Sequence, residues 1–121
     1  MIPTGPILLS ANSFWNIANF RGQLVEALVK AGYPVRIAAP DVDPAWARAH
    51  AVDAVDIAID RSGLNPIKDG VLWLDYLRLL RRTKSAYFLG FTAKPNIYGS
   101  LAAQLLGVAS LPNVSGLGTA F

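Results

Sequence analysis

Five short apolar runs recur along the chain, at 6–10, 35–39, 54–59, 86–91 and 110–114, each separated from the next by enough sequence to hold a crossover. They are nearly continuous in apolar character rather than alternating, the pattern of strands covered on both faces. The segments between them carry a helical period. A first helix is predicted over 18–31, with Phe20, Leu24, Ala27, Leu28 and Ala31 on one face and Gly32 as its stop. A short second helix over 45–50 opens with Asp43 as N-cap and Pro44 in the first helical position. The third opens in the same way on Asn65 and Pro66 and runs to about 82, with Leu72, Tyr76, Leu79 and Leu80 as its apolar stripe. A fourth spans about 97–106 and ends at Gly107; Gly99 and Ala103, four apart, leave one side thin enough for close packing against a strand or loop.

Strand and helix in repeated alternation predict an α/β fold: a Rossmann-like, doubly wound parallel sheet of about five strands. Right-handed crossovers give the strand order 3-2-1-4-5. Ligands of such sheets sit at the carboxyl ends of the strands, near the switch point between strands 1 and 4. That rule nominates the loops at 11–19 and 92–96, with the tail at 115–121 on the same edge.

At 121 residues the chain has the length of one domain, and 53% hydrophobic content suits a well-covered core. The net charge, 11 − 8 = +3, is too small to point to nucleic acid. Its distribution matters more. Residues 61–94 hold seven basic side chains against two acids, whereas 37–60 hold one base against five acids. Arg78, Arg81 and Arg82 crowd the end of the third helix, favourably for its dipole, with Lys84 just beyond. Such a cluster attracts phosphates or an anionic membrane surface, and it also reads as a solvated helix face. There is no cysteine, and His50 is the only histidine, which removes disulfides, thiolate catalysis and multi-histidine metal sites. No segment reads as a signal peptide or as the roughly 20 apolar residues of a spanning helix. The expected setting is soluble and cytoplasmic.

Asn12, Ser13, Asn16 and Asn19, with Phe14 and Trp15 among them, give the first loop a density of short polar groups. This suits a sugar-type pocket, and it equally suits a helix cap with two anchoring aromatics. Thr92 and Lys94 place a hydroxyl and an ammonium after strand 4, where Lys94 can hold a phosphate. Gly116 and Gly118 form a glycine-rich loop through which backbone amides can approach a ligand. No dinucleotide fingerprint is present. A phosphoacceptor receiver domain fails because the strand 1 loop has no acidic pair and no lysine follows strand 5. Ser10 to Trp15 is a poor flavin phosphate loop.

Four stretches together resemble the amino-terminal half of family-4 glycosyltransferases of the GT-B fold: Phe20-Arg21-Gly22-Gln23-Leu24, Ser62 to Asp69, Thr92 to Gly99, and Gly116 to Phe121. Within that family the pattern is similar to bacterial enzymes of surface polysaccharide and lipid-linked glycan assembly. The resemblance implies retaining transfer of a sugar from a nucleotide-diphosphate donor to a polyprenyl-diphosphate-linked or other glycan acceptor, with no metal or other cofactor. It implies that residues 1–121 are the acceptor-side domain, truncated, and inactive without the donor-binding carboxy-terminal domain. Asn12, Ser13, Asn16, Asn19, Thr92, Lys94, Gly116 and Gly118 would then line the cleft, and Arg78, Arg81, Arg82 and Lys84 would face an anionic lipid at the inner face of the plasma membrane. No catalytic residue is assigned. The alternative is a stand-alone glycan- or phosphate-binding module, or a subunit of a split transferase, without catalysis of its own.

Overall fold

Strand β1 (Ile7–Ser10) is buried along its whole length, because its neighbours on both sides and helices on both faces exclude water from it. The computed structural model describes residues 5–59 and 65–110. In chain order the elements are β1, α1 (Phe14–Phe20), α2 (Gly22–Lys30), β2 (Val35–Ala39), α3 (Pro44–Ala49), β3 (Asp53–Asp56), α4 (Pro66–Thr83), β4 (Tyr87–Gly90), a π-helical turn (Pro95–Gly99) running into α5 (Ser100–Leu106), and β5 (Ala109–Ser110). The strands form one parallel sheet of order β3-β2-β1-β4-β5, as the crossover rule predicts. Leu9 lies beside Ile37 and Leu89, setting the register at the centre.

Successive residues of β1 point to opposite faces and feed two separate cores. Ile7 and Leu9 join Phe14, Ile17, Val25 and Ile37 under α1, α2 and α3. Leu8 joins Ala38, Phe88, Leu72, Tyr76 and Leu80 under α4 and α5. Inside the second core Ser10 donates its hydroxyl proton to the Ala38 carbonyl (2.6 Å), so the Tyr76 hydroxyl donates to Ser10 Oγ, also at 2.6 Å. Burial pushes the Tyr76 phenol far up from its ordinary value.

Asp43 and Asn65 cap α3 and α4 as expected, each through its side-chain oxygen. The first helix differs from expectation. Ser13 Oγ accepts from the Asn16 amide and starts α1 earlier, at Phe14. The helix then breaks at Arg21 (φ −124, ψ 13) before α2 begins. Across the break the buried face is Phe14, Ile17 and Val25, while Phe20 is left 63% exposed against the edge of Trp15. The third strand also differs: it runs over Asp53–Asp56 and is largely exposed, because it is the sheet edge. The fifth is seen only at Ala109–Ser110; the rest of the predicted run lies outside the described residues.

Candidate functional site

The loops after β1 and β4 meet at the carboxyl edge of the sheet. The Asn12 amide donates to Thr92 Oγ1 at 2.9 Å, and the Phe91 amide donates to the Ser10 carbonyl at 3.0 Å. This closes the switch point predicted from topology. Because Thr92 Oγ1 accepts, its own O–H stays available to donate outward.

The polar cluster of the first loop is divided by α1. Asn12 stays in the loop and Ser13 is consumed as the helix cap. Asn16 is half-buried on α1, and Asn19, exposed in its last turn, returns a hydrogen bond from Nδ2 to the Trp15 carbonyl at 2.9 Å. The helix-cap reading of this stretch is therefore correct for Ser13, and the run is mostly helix rather than loop. Gly116 and Gly118 lie outside the described residues.

Lys94 has a partner that spacing along the chain does not reveal. Its Nζ lies 2.7 Å from Asp69 Oδ1, with both side chains mostly withdrawn from water (17% and 16% exposed). Tyr98 donates to the other carboxylate oxygen of Asp69 at 3.0 Å. The Lys94 hydrogen bond holds the Asp69 carboxyl below its ordinary range, and the same carboxylate raises the Tyr98 phenol. The first turn of α4 is thus tied to the turn that follows β4. Asp69 and Tyr98 also wall a groove of about 510 Å³ between α4 and α5, with Pro66, Gly70, Trp73 and Leu101.

On its outer side α4 presents Ile67, Val71, Leu74, Arg78 and Arg82, spaced three or four apart on one exposed stripe. The stripe is apolar in its first half and basic in its second. Arg78 reaches Asp75 only at 4.0 Å, while Arg81 and Lys84 are exposed beside it. On the neighbouring helix Leu101 and Leu105, with Ile97 in the π turn, are exposed as well. Among the described residues no helix is long and apolar enough to cross a membrane, and no cluster of side chains has the makings of a metal site.

Sequence reasoning assigns no role to Arg21. Its guanidinium carbon sits 5.0 Å from the centre of the Phe91 ring. Nothing in the spacing around Gly22 marks the residue, since a lone arginine in a helical stretch reads as surface.

No protein-family model matches the chain, and no curated protein matches it by sequence. Solved structures do match in shape. A glycosyltransferase from Rickettsia africae superposes with a TM-score of 0.74 at 11% identity, over 92% of this chain and 30% of that one. MurG from Acinetobacter baumannii matches with a TM-score of 0.69 at 18% identity, over 89% and 34%. The C-terminal domain of a Pyrococcus furiosus hydrogenase matches with a TM-score of 0.67 at 11% identity, over 93% of each chain. The chain spans about a third of the length of the first two. At these identities the likeness is one of fold: the chain has the Rossmann-like α/β fold found as one part of glycosyltransferases and, at matching length, as a domain of a hydrogenase.

Proposed function

We propose that this chain is the acceptor-side, amino-terminal domain of a retaining, family-4-type glycosyltransferase of the GT-B fold. The whole enzyme would move a hexose from a nucleotide-diphosphate donor to a lipid-linked glycan without a metal ion. The observation that carries the reading is the closed switch point, where Asn12 and Thr92 join the β1 and β4 loops in a fold shared with about a third of MurG and of the Rickettsia glycosyltransferase. Asn12, Thr92 and Lys94 are the described groups best placed for an acceptor, with Ser13, Asn16 and Asn19 holding the helix behind them. Gly116 and Gly118 belong to the same proposal. Chemistry would need the opposite wall of the cleft, a donor-binding carboxy-terminal domain, so this domain alone should bind weakly and transfer nothing.

The apolar-then-basic stripe of α4 supports a location at the cytoplasmic face of the membrane, with Arg78, Arg81, Arg82 and Lys84 toward anionic headgroups. A second reading is a stand-alone glycan- or phosphate-binding module, since the same fold also occurs outside glycosyltransferases, as a domain of a hydrogenase. Titrating the chain with polyprenyl-diphosphate-linked sugars and with nucleotide sugars, read by amide NMR, tests the assignment. Saturable shifts at Asn12 and Thr92 with the lipid-linked sugars, and weaker ones with nucleotide sugars, are expected. Preference for nucleotide sugars, or shifts elsewhere only, overturns the acceptor-side role.

A further inference from the structure

Arg21 is a charge without a counter-charge. Its Nε is fully buried and meets no hydrogen-bond acceptor. Among the described residues its guanidinium makes no ion pair and no hydrogen bond, and its central carbon lies over the Phe91 ring. Arg36 provides the contrast: its Nε is also buried and unpaired, yet its Nη1 reaches Asp53 at 3.3 Å. A guanidinium stays ionised and offers five donors in a fixed fork, so burying its Nε–H while withholding every acceptor is costly. Ring contact offsets part of that cost and fixes the side chain's direction, but it satisfies none of the N–H groups.

Protein atoms enclose Nε, so a ligand can reach this half-buried side chain only at its terminal Nη groups, and the location narrows what that ligand is. Phe91 follows β4 directly and is bonded through its amide to Ser10, at the end of β1. The cation therefore lies over the carboxyl ends of the two central strands, next to the Asn12–Thr92 bond. Among the described residues no carboxylate pairs with it: Asp69, held at the turn after β4, is bonded to Lys94 and Tyr98, and Glu26, the nearest acid along the chain, lies 3.6 Å from His50 beside α3. Arg21 closes α1 through its amide on the Ile17 carbonyl, and α2 begins at the next residue. The Thr92 hydroxyl adds an uncommitted donor in the same loop.

We propose that Arg21 is the anion-binding residue of this domain, taking a phosphate or diphosphate group of a ligand seated at the carboxyl ends of β1 and β4. A guanidinium fork with an added hydroxyl donor matches a group carrying several acceptor oxygens better than a single carboxylate. The proposal rests on the reading of this edge as the ligand side, and it is independent of whether a sugar is transferred.

The test is the Nε–Hε signal of Arg21 in ¹H–¹⁵N spectra of the chain, titrated separately with inorganic pyrophosphate, uridine diphosphate, farnesyl diphosphate and acetate. Pyrophosphate should give a saturable shift that acetate does not. Arg21→Gln should weaken pyrophosphate binding about tenfold or more, since hydrogen bonds to charged groups are lost. Arg21→Lys, which keeps the charge but not the fork, should fall between, and Lys30→Gln, an exposed charge change in the last turn of α2, should bind as the parent chain does. Unchanged far-ultraviolet dichroism identifies the variants that keep the fold. Absence of a saturable shift, equal binding by Arg21→Gln, an equal loss in Lys30→Gln, or acetate binding as tightly as pyrophosphate overturns the proposal. Tighter binding of farnesyl diphosphate than of uridine diphosphate supports the site with a lipid source. The reverse order also supports the site, and it overturns the acceptor-side role instead.

Discussion

Three helices end with the same pair of closing bonds, and the residue at the turn differs. Gly32 after α2 and Gly107 after α5 take left-handed backbone (φ 95 and 72), which costs glycine nothing. After α3 the left-handed residue is Ala51 (φ 57), with its amide on the Arg48 carbonyl and the Val52 amide on the Ala47 carbonyl. The Cβ of an alanine is crowded in that conformation, so Ala51→Gly should stabilise the protein by about 1 kcal/mol, read as a rise in the urea midpoint at unchanged slope. Both glycine stops are legible in the sequence because glycine announces the turn. Alanine announces nothing, and only the backbone reveals it. The same holds for Arg21, whose importance lies in what its guanidinium lacks.

Among the elements, the strands buried on both faces are the most legible, because a short continuous apolar run bounded by turn residues suits few conformations besides a covered strand. The edge strand is less so: Asp53 and Asp56 belong to it, and exposure at an edge tolerates them. The first helix departs from its pattern because a periodic sequence does not show a break when both pieces remain helical. The small-residue side of α5 is legible together with its reason. A Cβ on Gly99 would clash with the outer end of the Phe88 ring, one of the largest side chains of the second core. Gly99→Ala should therefore cost about 1–3 kcal/mol by overpacking, and a thermal melt should show the loss partly recovered when Phe88→Leu is added.

For the molecule as a whole, the candidate site is half visible in the sequence. Topology alone brings Asn12 to Thr92, whereas the link from Lys94 to Asp69 spans 25 residues and joins two motifs that each have a simpler local reading. That link makes stability depend on pH. Asp69 is depressed in the folded protein, so its contribution is complete above the ordinary carboxylate range and is lost as pH falls toward the depressed value. Asp69→Asn should flatten the acid limb of a stability–pH curve and leave the slope near neutrality unchanged; an acid limb identical to that of the parent chain would show the pair to be energetically silent. The sheet edge carries a different lesson. The outer side of β3 has no strand beside it among the described residues, and the strand reads Asp-Ala-Val-Asp. Whether a second copy approached parallel in register or antiparallel, an aspartate would stand opposite an aspartate, and like charges directly opposed disfavour pairing. The edge thus rejects its own kind by symmetry, while a strand bearing lysine or arginine at those two positions would meet complementary charge.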